Sequence, residues 1–135
     1  ALDVGDRRIG VAISDPSGLI ASTLEPLDRS DPYYSTDLVI RLAMKNDVAE
    51  ILVGMPLLLS GKEGSQADKA WKFVTELESM SEIPVRPIDE RLSTVEARRL
   101  LRQSPGRRRA ADKLDSVAAA VVLQSYLDSR HGTGK

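Results

Sequence analysis

"LDVGDRRIGVAISD", residues 2–15, decides the fold. Residues 1–5 read as a buried strand, and a short charged turn follows. In "RIGVAIS" Ile9, Val11 and Ile13 alternate with Gly10, Ala12 and Ser14, the period of a strand with two distinct faces. Asp15-Pro16-Ser17-Gly18 is a turn signal, and Leu19 to Leu27 is another extended run. The first 28 residues therefore predict a three-stranded antiparallel meander. One residue does not fit a plain core strand: Asp3 stands where Val or Ile would be expected, and a lone buried carboxylate is costly unless something positive or hydrogen-bonding meets it.

Beyond the meander the periodicity changes. Leu38, Val39, Leu42 and Ala43 have helical spacing and predict a helix over 37–46, and "EILVG" (50–54) reads as a buried strand. "MPLLLSGKEG" is a loop. Ser65 and Asp68 have capping-box spacing at the head of a second helix, with Ala67, Ala70, Trp71, Val74 and Leu77 as its apolar face. "IPVRPI" (83–88) is a fifth strand, and its prolines place it at a sheet edge or strand end. Ser93 and Glu96 open a short basic helix to about Arg102, "SPG" ends it, and Asp112 caps a final helix to about Asp128. The order β-β-β-α-β-α-β-α-α predicts a mixed five-stranded α/β sheet with the first strand central, the fourth beside it and helices packed on it. The 135 residues suit one domain, 1–135, with 129–135 expected as a flexible tail.

Composition excludes several chemistries. There is no cysteine, so disulfides, thiolate metal sites and a thiol nucleophile are out, and a reducing cytoplasmic setting is the expectation. The chain has no run suited to crossing a membrane. Ser14, Ser93 and Thr94 lack a histidine base, since the one histidine, His131, falls in the expected tail. Charge is uneven. Residues 98–113 hold seven basic side chains (Arg98, Arg99, Arg102, Arg107, Arg108, Arg109, Lys113) against Asp112 alone. That balance of +6 leaves −7 for the remainder of a chain whose net charge is −1. Such a segment is either a solvated loop or a local anion-binding surface.

Three carboxylates fall at the ends of elements: Asp3 in the first strand, Glu90 just past the fifth, and Asp115 in the last helix. Glu90 could equally pair with Arg91. Asp115 could serve the Asp112 cap, although Ala118, Ala119 and Val122 on its face suggest close approach of the helix to the sheet. Converging carboxylates repel one another unless a cation lies between them. An all-oxygen ligand set suits Mg²⁺ or Mn²⁺, and two such ions can hold a scissile phosphate and activate water. Gly5 then permits the turn, Gly10 and Ala12 leave space beside Asp3, and Arg8 becomes a candidate phosphate contact.

"LDVGDRRIGVAISD", "ILVGMPLLLSGKEGSQA", "VRPIDERLST" and "DKLDSVAAAVVLQSYL" together resemble, in order and spacing, the motifs of the bacterial YqgF/RuvX family over about residues 1–128. The resemblance implies an RNase H-like fold related to the RuvC resolvases and a metal-dependent nuclease. The family is described both as processing the 5′ end of precursor 16S rRNA and as resolving Holliday junctions. Its three acids fall on Asp3, Glu90 and Asp115, implied to be catalytic and to hold two Mg²⁺ or Mn²⁺ ions. Gly5, Arg8 and Gly10 match its first motif; Gly54, Pro56, Gly61, Gly64 and Gln66 its loop motif; Arg91 with Ser93 or Thr94 its third. "SPGRRRAADK" departs from the usual lysine-rich connection but keeps its basic character.

The leading expectation is an endonuclease for structured RNA or branched DNA. Arg8, Arg91, Arg98, Arg102, Arg107, Arg108, Arg109 and Lys113 would contact phosphates. Symmetrical cutting of a four-way junction would require a homodimer. Two other classes remain open at this stage. D-x-G before a hairpin also resembles the first phosphate loop of actin-like ATPases, which need a second lobe that 135 residues do not accommodate. A non-catalytic nucleic-acid-binding module is the third, although clustered acids add nothing to such a surface. Aromatic residues are only 4%, so stacking platforms for single strands are not evident.

Overall fold

The computed structural model describes residues 1–5, 7–29, 32–55, 65–89 and 114–132, without the side chains of 32–34, 65–67, 114–115 and 131–132. Its strands are β1 (Leu2–Val4), β2 (Arg8–Ser14), β3 (Ala21–Asp28), β4 (Ile51–Met55) and β5 (Val85–Asp89). Its helices are α1 (Pro32–Lys45), α2 (Ser65–Met80) and α3 (Leu114–Gly132). The sheet runs in the order β3-β2-β1-β4-β5, antiparallel through the first three strands and parallel from β1 to β4 to β5. The expected meander, the central place of β1 and the position of β4 beside it are all present. Both edge strands carry a proline, Pro26 and Pro87, at the one place in a sheet where a missing donor is tolerated.

Two helical layers enclose the sheet. On one face α1 and α2 pack Val39, Ala43, Ala70, Phe73, Val74 and Leu77 against Leu2, Val4, Ile9, Val11, Ile51, Val53 and Met55. On the other, α3 packs Ala119, Ala120, Leu123 and Leu127 against Ala12, Ala21 and Leu52. β4 is buried at all five positions, as a strand covered on both faces must be, which is why its sequence reads as an unbroken apolar run. Ile9, Val53 and Leu77 are fully buried, and each such side chain removed from water contributes on the order of 1.5–3 kcal/mol.

Several local expectations change. α1 begins at Pro32, five residues before the expected start at residue 37; proline's fixed φ and missing N–H suit the first helical position. It ends in a Schellman motif with Asp47 at φ 51° in place of glycine. Val48 N–H donates to Ala43 O at 3.1 Å and Asp47 N–H to Met44 O at 3.3 Å, so two carbonyls at the helix end are satisfied. β3 starts at Ala21, not Leu19. Leu19 and Ile20 are exposed because their N–H groups donate to the Asp15 carboxylate at 2.8 and 2.9 Å and so close a turn.

On α2, Trp71 is 42% exposed while Phe73 is 1% exposed. The buried stripe is Ala70, Phe73, Val74 and Leu77, so the helix is rotated from the face expected around the tryptophan. α3 extends four residues past Asp128, so 129–132 is helix where a flexible tail was expected. Ser129 Oγ–H donates to Tyr126 O at 2.8 Å, and the Arg130 guanidinium lies 5.6 Å from the Tyr126 ring and 3.4 Å from Glu50 Oε1. Ala118, expected on the sheet-facing side, is exposed. The 56–64 loop, the short basic helix and the Asp112 cap lie outside the described residues.

Candidate active site

β1 carries Asp3 at the middle of the sheet, with Leu2 and Val4 turned into the α1/α2 core. Strand alternation therefore puts Asp3 on the α3 face. Its partner on β2 is Gly10. Leu2 pairs with Val53 on β4, so continuing that parallel register sets Gly54 beside Asp3 on the other flank. A half-buried carboxylate thus sits between two positions that have no side chain, which leaves lateral room on that face for a cation and a phosphate.

The hairpin that follows is tight. Gly5 N–H donates to Arg8 O at 2.9 Å, and a Cβ on Gly5 would lie 2.8 Å from that same oxygen, so only glycine fits without shifting backbone. Arg29 braces the turn from outside. Its N–H donates to Arg7 O at 2.8 Å and its Nη1 to Gly5 O at 2.8 Å, while its guanidinium stacks 5.7 Å from the Phe73 ring centre. Arg8, a predicted phosphate contact, is exposed at the start of β2, at the end of the sheet where β1 terminates.

The third predicted acid, Asp115, lies in the first turn of α3. The next residue, Ser116, is fully buried and fastens that turn to the sheet. Its hydroxyl accepts from Val11 N–H at 2.9 Å and donates to Leu24 O at 2.7 Å. Val11 and Leu24 are register partners, next to a bulge where the step from Ile9 to Val11 on β2 spans Leu27 to Leu24 on β3. Ala119 and Ala120, both fully buried, keep the next turn equally close. Sequence reading passed over Ser116; the available signal was a polar side chain at the head of an otherwise apolar helical stripe.

β5 ends at Asp89, and Glu90 follows it outside the described residues. Arg91, Arg98, Arg102, Arg107, Arg108, Arg109 and Lys113 also lie outside them. Among the described residues no three His, Cys, Asp or Glu side chains are grouped closely enough to hold a metal ion; the Glu90 and Asp115 side chains are not among those described. The donor chemistry nevertheless fits a hard cation. His131 sits in the last turn of α3, sixteen residues and about 24 Å of helix from Asp115. The chain has no cysteine, so the three expected acids would offer oxygen ligands alone.

That far end is built differently. The Gln124 side chain accepts from Ala21 N–H at 2.8 Å and donates to Leu19 O at 2.9 Å, pinning the β2–β3 turn. Glu50 gathers the Tyr126 hydroxyl at 2.9 Å and Arg86 at 3.5 Å, in addition to Arg130. Hydrogen bonds from Ile20 N–H, the Ser17 hydroxyl and Leu19 N–H hold the Asp15 carboxyl down at about 2. These contacts tie α3 and β4 to the β2–β3 turn at the end of the sheet away from the β1–β2 hairpin. Among the described residues no helix is long and apolar enough to cross a membrane.

Comparison with known proteins matches residues 1–129 to the family model described as "RuvX: Holliday junction resolvase". Proteins named "Putative pre-16S rRNA nuclease" are similar along almost the whole chain. That of Clavibacter michiganensis subsp. michiganensis is 45% identical over 99% of this chain and 84% of its own. That of Chloroflexus aurantiacus is 41% identical, covering 96% of this chain and 86% of its own. That of Desulforudis audaxviator is 42% identical, covering 96% and 92%. Among solved structures, Thermus thermophilus RuvC superposes with a TM-score of 0.61 at 17% identity, over 98% of this chain and 95% of that one. The last likeness is one of fold: the sheet and helices are those of the RuvC-like RNase H architecture.

Proposed function

The chain belongs to the RuvX family, and from that premise we propose that it is a divalent-metal-dependent endonuclease that trims the 5′ end of precursor 16S rRNA in the cytoplasm. The observation that carries this reading is Asp3, half-buried at the sheet centre between Gly10 and Gly54, with the first turn of the Asp115 helix fastened to the adjoining strand. Asp3, Glu90 and Asp115 would hold the ions. Ile88, in the strand that precedes Glu90, packs on the α3 face that Asp3 shares. Two Mg²⁺ or Mn²⁺ ions bound there would supply an activated water and neutralise the leaving oxygen. The protein's own work is to place the phosphate. Arg8 would contact the backbone beside the β1–β2 hairpin, and Arg91, Arg98, Arg102, Arg107, Arg108, Arg109 and Lys113 would engage flanking phosphates. Binding should therefore weaken steeply with salt.

The family description itself favours a second reading, in which a homodimer cuts a four-way DNA junction symmetrically. One assay separates them: a precursor rRNA fragment against a mobile four-way junction, each with Mn²⁺, with Mg²⁺ and with chelator. We expect cleavage of the rRNA fragment that needs the metal and is abolished in Asp3→Asn, with binding retained and the melting temperature in chelator nearly unchanged. Cleavage by Asp3→Asn at the wild-type rate would refute the assignment. Tight binding of both substrates with cleavage of neither would identify a non-catalytic binding module.

A further inference from the structure

We propose that Ser116 is a positioning residue whose buried hydroxyl sets the spacing between Asp3 and Asp115, and that its main contribution to this protein is to metal affinity; this rests on the metal-site reading above. The two acids come from elements joined by a long stretch of chain, so their separation depends on how α3 docks. In the turn after Ser116, α3 meets the sheet through small, apolar Ala119 and Ala120, whose contacts are non-directional and would let this end of the helix slide by a fraction of an ångström. Ser116 removes that freedom at one point. Its hydroxyl has one proton to give and accepts one, and both capacities are used on backbone groups of a single register pair, Val11 and Leu24.

The place of that pair is what ties the hydroxyl to the site. Val11 is covalently next to Gly10, and Gly10 is the cross-strand partner of Asp3. Asp115 is covalently next to Ser116. The path from one acid to the other is therefore one strand pairing, one hydrogen bond and two peptide links. The bulge gives the hydroxyl its opening. Pro26 has no N–H, the β2–β3 ladder shifts register there, and Ser116 bridges Val11 and Leu24 beside the irregularity. An alanine at 116 would keep the helix but leave a buried N–H and a carbonyl without this partner, a cost relieved by lifting the first turn. Metal ligands are sensitive to such displacement, and losing a supporting group typically costs 10–100-fold in affinity.

The test is calorimetric titration of the whole chain with Mn²⁺, with thermal melting in chelator as the measure of fold. Ser116→Ala should bind Mn²⁺ at least about tenfold more weakly than wild type, with a cooperative melt and native circular dichroism. Gln124→Ala is the control, because it removes another buried side-chain clamp from the same helix at the opposite end of the sheet. It should lower the melting temperature by a similar amount and leave Mn²⁺ affinity within about twofold. If Ser116→Ala does not fold, Ser116→Cys, a weak hydrogen-bonding group of similar shape, should show the same affinity loss. Unchanged affinity in the folded Ser116 variant, or an equal loss in Gln124→Ala, overturns the proposal. A wild-type chain that binds no Mn²⁺ overturns the metal-site reading itself, and the role of Ser116 with it.

Discussion

Replacing Arg29 by alanine should loosen the hairpin that follows Asp3, and the cost can be worked from its contacts. The guanidinium donates to Gly5 O at 2.8 Å, a partly buried charge-assisted bond of about 1.5 kcal/mol. It also lies 5.7 Å from the Phe73 ring centre, a cation–π contact of roughly 0.5–1 kcal/mol at a half-exposed site. The Arg29 N–H bond to Arg7 O belongs to the backbone and survives the substitution. The expected loss is therefore about 2 kcal/mol. A 135-residue domain loses on the order of 4 °C per kcal/mol, so the melting temperature should fall by about 8 °C. Thermal denaturation followed by circular dichroism measures it. A double-mutant cycle with Phe73→Leu isolates the ring contact and should return a coupling of about 0.5–1 kcal/mol. Arg29→Lys should recover part of the loss, because an ammonium keeps the charge but not the planar fork that reaches the carbonyl and the ring together. A shift under 2 °C for Arg29→Ala, with zero coupling to Phe73, would refute the account of how the hairpin is braced.

Phe73→Ala should cost roughly 3–5 kcal/mol by emptying a fully buried site, whereas Trp71→Ala on the same helix should cost under about 1 kcal/mol; chemical denaturation of the two variants compares them directly. Asp15 supplies a pH dependence. Its carboxyl is depressed from 3.8 to about 2 in the folded chain, so its contribution to stability is present above pH 4 and lost as pH falls toward 2. Melting wild type and Asp15→Asn across that range should show their gap closing, and a gap that persists at pH 2 would contradict it.

The sequence and the structure divide the work unevenly. β2 was legible residue for residue, because strict alternation between an apolar and a small-residue face has one structural solution. β4 was legible because a short unbroken apolar run ending in "VG" suits only a strand covered on both sides. The helix faces were less so. Trp71 and Phe73 lie two positions apart on α2, both score as apolar, and only the surface presented by β1, β4 and β5 decides which of them is covered. The end of α3 differs for a related reason: "SRHG" was expected to belong to a tail, yet the helix runs through it and Arg130 meets Glu50, 80 residues earlier in the chain.

What the residues determined by themselves was the available chemistry: carboxylates with no cysteine and a single histidine, an acid set into a core strand, and glycines at Gly5 and Gly10 close to it. Which groups become neighbours was decided only by the tertiary fold. Strand periodicity puts Asp3 on a face but cannot say what lies over that face, since pairing in a sheet is non-local. The approach of α3 depends on a bulge between β2 and β3 and on a hydroxyl more than 90 residues away in sequence that bridges the strands beside it. A serine at the head of an apolar helix looks like a minor polar interruption until the two backbone groups it joins are seen, because hydrogen bonding is fixed by distance and direction, which a linear sequence does not contain.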